Sequence, residues 1–355
     1  MITIIAFITL LGILVFVHEL GHFLAAKSVG LKVEKFYLGW NLFGLGISRK
    51  WGETEYGIGL FPLGGYVKVA GIIDESMDSE TKGLDYEYMN KSPIQQIWFA
   101  SAGVIMNLLL AFFIFFGITF YTGIGEINPL SIVGEVIPEY PAEKYGIAEG
   151  DEIISIDGIG VQTWEEMTNE VHLRPNQLIQ VQWLRNGINY SDSIQTTMSQ
   201  KLVDGQLEEF GMIGITPVVT IHPASFGEAI STGFQRTYYW LTLTISSLKM
   251  IFSGDASFSE VGGPILIAKM AGESAKSGLL NYFSLLAIIS INLALLNILP
   301  IPGLDGGHII VSITEGIIRR KLPIKIKMGI QQMGLFFLMM IFFIVIYNDI
   351  SRLFR

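Results

Sequence analysis

Apolar residues in this chain follow two patterns, and each predicts a different kind of element. The first is the unbroken run. From Ile2 to Ala26 almost every position is apolar, and at about 1.5 Å per residue a helix of that length exceeds the roughly 30 Å hydrocarbon core of a bilayer. With this segment (1–27) as the first crossing, similar runs over 94–121, 279–300 and 328–348 predict three more. Four crossings leave both chain ends on one side. No Lys or Arg precedes the first run, and it is longer than the apolar stretch of a signal peptide, so it reads as a retained helix. The second pattern is alternation. Ser131 to Ile137, Glu152 to Asp157, Leu178 to Leu184 and Gly211 to Thr216 read as short strands, with turn signals at Asp157-Gly158 and Asn186-Gly187. Residues 127–217 thus predict one small β-rich, water-soluble domain. Residues 218–278 are amphipathic and punctuated by Gly and Ser, which predicts helices lying on the membrane.

Charge then sets function classes aside and orients the spans. Only 15% of the residues are Asp, Glu, Lys or Arg, against about 25% in a soluble domain. Half of the residues are hydrophobic, which argues against a disordered chain, and a formal charge of −9 from 23 basic and 32 acidic residues argues against a general nucleic-acid binder. The chain has no cysteine. Disulfides, thiolate nucleophiles and Cys-ligated metals are therefore excluded, and a metal site must be built from His, Asp, Glu and Asn. The loop 301–327 carries Arg319, Arg320, Lys321, Lys325 and Lys327 against Asp305 and Glu315, which marks it as cytoplasmic. Residues 122–278 hold 8 basic and 19 acidic residues. That stretch and both termini are then extracytoplasmic, and the segment 28–93 is cytoplasmic.

The chemistry sits inside the first span. His18-Glu19-Leu20-Gly21-His22 is an H-E-x-x-H motif. Positions i and i+4 share one helix face, so both imidazoles can grip one zinc ion with Glu19 beside the open position as general base. Ionisable groups at membrane depth cost at least about 2.5–3.5 kcal/mol each and imply a function or a partner. A hydrolytic zinc needs a third protein ligand. The third span ends in Asn297-Ile-Leu-Pro-Ile-Pro-Gly-Leu-Asp305-Gly306, where two prolines break the helix and bring non-helical backbone to membrane depth. Asp305 is the carboxylate this segment can offer; an ordinary helix-capping Asp is the competing reading. Helix-to-helix hydrogen bonding without metal is the competing reading of the histidines.

His18-Glu19-x-x-His22 in the first span, Asn297-x-x-Pro300-x-Pro302-x-Leu304-Asp305-Gly306 ending the third, and a soluble domain between spans two and three together resemble the site-2 protease family of intramembrane zinc metalloproteases, in its bacterial RseP-type branch. The resemblance implies Zn²⁺ held by His18, His22 and Asp305, Glu19 as catalytic base, and Asn297 at the site against substrate backbone or the developing oxyanion. Ala102-Gly103-x-x-x-Asn107 is similar to a G-x-x-x-N pattern of the family; its role is left open, with a bond between helices as the plain reading. The stretch Trp51 to Val69 matches a β-hairpin that dips into the membrane beside the site, which places Gly57, Gly59, Gly64 and Gly65 against an unwound substrate segment. A hairpin that only plugs the cavity is the alternative. Pro141 to Ile147 and Glu149 to Gly158 resemble the helix, turn and strand of a bacterial PDZ domain, with Phe210, Gly211, Met212, Ile213 and Gly214 as its ligand-binding loop. Residues 127–217 leave room for one such domain, whereas some relatives carry two. His308 reads as a supporting residue, and His172 and His222 as incidental.

The fold class expected is a polytopic α-helical membrane protein with four transmembrane helices, a membrane-associated β-hairpin and one extracytoplasmic PDZ domain. The expected setting is a bacterial cytoplasmic (inner) membrane, with the active site towards the cytoplasm. The implied substrates are single-pass transmembrane proteins already trimmed by another protease, such as an anti-sigma factor or a remnant signal peptide. The PDZ domain would gate their access, and the lipid bilayer would be the other partner. A non-catalytic membrane scaffold that binds C-termini through its PDZ domain is the alternative.

Overall fold

The computed structural model describes residues 1–41, 46–72, 83–203, 206–257 and 261–354. Parts of the segment 28–93, namely 42–45 and 73–82, therefore lie outside the described residues. The chain divides into two compact units, one of Met1–Ile118 with Ile230–Arg355 and one of Thr119–Ala229.

In the first unit the apolar runs become helices: α1 (Ile2–Ser28), α2 (Pro93–Thr122), α7 (Leu279–Ile298) and α9 (Ile324–Leu353). Each is long and apolar enough to cross a membrane. They pack through narrow positions. Leu10 and Leu14 of α1 meet Leu285 and Leu286 of α7, and Ala111 and Phe115 of α2 meet Ala287 and Ile291 of α7. Small residues at such contacts let backbones approach where lipid supplies no hydrophobic drive between helices. Tyr282 Oη, buried, donates to the Ala6 carbonyl at 2.8 Å. After α7, Pro300 and Pro302 hold the chain out of helix until α8 (Asp305–Ile318) begins.

Two helices come between the soluble stretch and α7. The sequence reads this region as helices lying on the membrane; in the structure α5 (Phe226–Ser253) packs along the spans. Its Gly233 approaches Phe116 of α2, and its Thr244 Oγ1 donates to Asn292 Oδ1 in the middle of α7 at 2.8 Å. The helix thus runs beside the spans, which give Thr244 and Arg236 partners that a flat helix would take from water; Arg236 lies over the Phe115 ring at 4.8 Å. The shorter α6 (Pro264–Lys276) packs on α1, with Gly272 against Thr3. Its first turn is capped from the far end of the chain. Asp349 of α9 accepts from the backbone N–H of Gly263, Ile265 and Leu266 at 2.9, 2.8 and 3.2 Å, satisfying donors that a helix N-terminus leaves bare.

Between α1 and α2 lies a sheet of β1 (Val33–Trp40), β2 (Gly46–Trp51), β3 (Thr54–Gly59) and β4 (Phe61–Val69), in the order β2-β3-β1-β4. The expected hairpin over Trp51 to Val69 is corrected here. β3 and β4 do not pair with each other; β1 lies between them, parallel to β3 and antiparallel to β4. Only Leu60 separates β3 from β4, which is too short for the two-residue turn a tight hairpin needs. The hairpin is instead β2–β3, where Gly52, at φ 64°, and Glu53 join the paired residues Trp51 and Thr54. β4 ends the strand order, so its outer edge carries no strand among the described residues.

The second unit is built of β5 (Ile124–Ile127), β6 (Val133–Val136), α3 (Pro141–Lys144), β7 (Glu152–Ile156), β8 (Ile159–Gly160), α4 (Trp164–His172), β9 (Leu178–Arg185), β10 (Ile188–Gln195), β11 (Thr197–Val203), β12 (Gln206–Met212), β13 (Ile215–Pro217) and β14 (Val219–His222). Its largest sheet runs β10-β9-β7-β8, with β11-β12, β13-β6 and β14-β5 as separate pairs. Alternate residues of the strands, among them Ile153, Ile179, Val181 and Ile194, close one core with Met167 and Val171 of α4. Thr163 caps α4 in a reciprocal box with Glu166. Those backbone N–H bonds hold the Glu166 carboxyl below its usual range. Asp151, without solvent exposure, takes Arg185 Nε and Nη2 at 2.7 Å each and the Ala148 N–H at 2.8 Å.

Candidate metal centre

Three side chains from two distant helices converge in the first unit. One helical turn separates His18 from His22 on α1, so their rings meet edge to face with Nε2 atoms 3.2 Å apart. Asp305, the first residue of α8, reaches them across the proline-broken link. Its Oδ2 lies 3.3 Å from His18 Nε2 and its Oδ1 3.3 Å from His22 Nε2. These ligating atoms all fall within 4.8 Å of one another.

The donor set fits zinc. Atoms bound at about 2.0–2.1 Å around a tetrahedral ion lie about 3.3 Å from each other, close to the 3.2 Å between the imidazole nitrogens and the 3.3 Å from each of them to its nearer Asp305 oxygen. His22 Nδ1 donates to the Phe99 carbonyl at 2.9 Å, so in the neutral ring Nε2 is left as the lone pair that a metal needs. The buried Asp305 Oδ2 has no hydrogen-bond partner among the described residues. A carboxylate and imidazole lone pairs aimed at one point repel each other unless a cation lies between them.

Neighbouring elements hold the rings. Gly103 of α2 packs so closely that a Cβ there would come within 2.5 Å of both His18 Cε1 and His22 Nε2. Asn107, one turn further on α2, sets its amide 3.2 Å from His18 Nδ1. Asn297, near the end of α7, brings its amide within 3.3 Å of His18 Nε2. The site opens into a cavity of about 270 Å³ lined by Glu19, Gly64, Gly65, Asn297 and His308 as well as the three ligand candidates.

A sequence profile described as "Peptidase family M50" matches residues 6–341. The chain belongs to this family. It is 35% identical over 342 residues to a protein of Clostridium perfringens that bears a zinc metalloprotease name, covering 95% of each chain. It is 30% identical over 426 residues to the zinc metalloprotease RasP of Geobacillus kaustophilus, covering 99% of this chain and 98% of that one. The protein is thus a zinc metalloprotease, and with its four apolar helices a membrane protein. Among solved structures, the PDZ domain of an SdrC-like protein from Listeria monocytogenes aligns with 26% of this chain and 93% of its own at 19% identity and a TM-score of 0.21.

Not every expected site residue reaches the metal centre of this M50 peptidase. Gly64 and Gly65 line the cavity, and a Cβ on Gly65 would lie 3.3 Å from Glu19 Cγ. Gly57 and Gly59 are on β3, one strand removed, where their missing side chains admit the Tyr37 ring and the Trp40 backbone. Phe210, Gly211 and Met212 belong to β12, with Phe210 edge-on to His172. Ile213 is buried in the second unit's core. The carbonyls of Ile213 and Gly214 accept from Ala142 and Ile137 at 2.8 and 2.9 Å. His308 faces the Tyr88 ring at 6.4 Å, and burial pushes the Tyr88 hydroxyl above its usual pKa. The Phe99 carbonyl went unanticipated, because a backbone acceptor has no signature in sequence.

Proposed function

We propose that the protein is an intramembrane endopeptidase of the site-2 type, which cuts single-pass membrane proteins within or beside their transmembrane segments. The observation that carries this reading is a hydrolytic donor set whose two histidines stand on α1, a helix long and apolar enough to span. His18, His22 and Asp305 would hold the zinc. Bound there, zinc supplies Lewis-acid polarisation of water and of the scissile carbonyl. The Glu19 carboxylate takes a proton from the attacking water and returns it to the leaving amine nitrogen. The Asn297 amide orients the carbonyl oxygen of the scissile bond. An extended substrate segment adds to the outer edge of β4 at Gly64 and Gly65, because its peptide bond must leave the helix before it can be cut.

The remaining parts of the reading concern access. By its charge distribution the site faces the cytoplasmic side of a bacterial inner membrane, and the acidic stretch 122–278 and both termini lie outside. Residues 127–217 act as a PDZ domain that excludes folded ectodomains until another protease has trimmed them. The PDZ likeness is carried by the sequence from Pro141 to Gly158, where a Pro-initiated helix leads through a Gly-Asp turn into a strand.

Glu19→Gln should retain zinc yet cut a model transmembrane substrate at least about a hundredfold more slowly, the scale expected for loss of a general base. Full activity in that variant would sink the assignment. Deleting residues 127–217 should allow cleavage of untrimmed substrate, and unchanged selectivity would remove the gate.

A further inference from the structure

The two histidines face the same point, yet their other ring nitrogens are held by unlike groups. An imidazole that binds metal through Nε2 carries its proton on Nδ1, and that proton needs an acceptor. His22 gives its proton to the Phe99 carbonyl, a backbone group that no substitution removes. Among the described residues, the hydrogen-bonding partner of His18 Nδ1 is the side-chain amide of Asn107, a residue with no solvent exposure. With Nδ2 towards the ring, two donors oppose each other, while Asn107 Oδ1, also sealed from solvent, has no partner among the described residues. Turning the amide end for end, which leaves its shape unchanged, removes the clash of donors and gives the ring proton an acceptor.

The setting of Asn107 is rigid. Its own carbonyl accepts from Ser290 Oγ at 2.8 Å, which ties this turn of α2 to α7. One turn earlier on α2, Gly103 leaves the imidazoles room that a Cβ would fill. We propose that Asn107 is a positioning residue: its Oδ1 accepts the His18 Nδ1 proton, which fixes the tautomer and aims the Nε2 lone pair at the metal. The G-x-x-x-N spacing then has one cause, with Gly103 making space for the rings and Asn107 orienting one of them. This inference rests on His18 and His22 being zinc ligands.

The test uses the full-length protein in detergent, loaded with zinc and titrated against chelators of graded strength. Asn107→Leu should weaken zinc retention about 10–100-fold, as removal of a group behind a ligand does. Asn107→Asp, whose carboxylate can accept the same proton, should hold zinc at least as tightly as the unaltered chain. In the cobalt(II)-substituted protein the visible absorption envelope should shift in Asn107→Leu and persist in Asn107→Asp. Unchanged affinity and spectrum in Asn107→Leu would overturn the proposal. Should that variant fail to fold, Asn107→Asp decides, and a tenfold loss of zinc affinity in it would overturn the proposal equally. His18→Ala separates the two readings. Retained zinc there overturns the ligand assignment itself, whereas lost zinc there beside wild-type affinity in Asn107→Leu overturns only the role of Asn107.

Discussion

Asp151 in the second unit and Asp305 in the first are both withdrawn from water, and they resolve that cost in opposite ways. Asp151 is complete. Each oxygen takes an Arg185 N–H, and one takes the Ala148 amide as well, so nothing further could bind there without breaking what is made. Asp305 is incomplete, because its oxygens stand 3.3 Å from two imidazole nitrogens whose protons are committed elsewhere or must be. A buried carboxylate whose hydrogen bonds are all made is a structural element. One whose partners are lone pairs marks the place of a cation. The contrast separates the two roles without reference to residue type, since both are aspartates near glycines.

The comparison can be broken most directly by removing each carboxylate in turn. Asp305→Ala should lose zinc and substrate cleavage by more than the roughly 10–100-fold typical of a group behind a ligand. Its β-rich unit should unfold at an unaltered temperature, and metal analysis with a cleavage assay checks this. Asp151→Ala should do the reverse. Loss of its charge-assisted hydrogen bonds costs the second unit about 1.5–3 kcal/mol, measured by chemical denaturation, with zinc content unchanged. A fall in zinc binding in Asp151→Ala would erase the distinction.

A smaller effect sharpens it within the second unit. Thr163→Ala removes one half of the capping box on α4 and should cost about 1 kcal/mol. Glu166, the other half, has its folded pKa depressed below the ordinary 4.5 by the Gln162 and Thr163 N–H groups. Its contribution is therefore complete above about pH 4.5 and is lost as the pH falls through the folded value. The difference between Glu166→Ala and the unaltered chain should shrink over that acidic window, as a pH series of unfolding curves would show.

What the sequence disclosed was local. Four apolar runs became four helices, because spanning depends on length and composition within one segment. His18 and His22 were legible together since one turn of helix makes them neighbours. Asp305 could be named from sequence only as a carboxylate in a proline-broken stretch with a family resemblance, because its meeting with α1 depends on packing across most of the chain. Pairings between distant segments were beyond reach. Parallel pairing of β1 with β3 left no local mark, so β3 and β4 were read as a hairpin that β1 in fact divides. The amphipathic region 218–278 reads as helices on the membrane surface, yet Thr244 and Arg236 of α5 find partners on α7 and α2. Polar residues on a helix record that partners exist and not whether those partners are water or protein.

The cap that Asp349 places on α6 has a consequence for the order in which the molecule is made. Synthesis runs from α1 onward, so α6 emerges well before the residue that closes its first turn. Until α9 is complete, the N–H groups of Gly263, Ile265 and Leu266 await their acceptor, and the seat of α6 on α1 lacks its anchor. A chain stopped short of Asp349 would carry every ligand of the metal centre and still leave the neighbour of its first helix unfastened. The last few residues thus finish a contact whose other side was synthesised first.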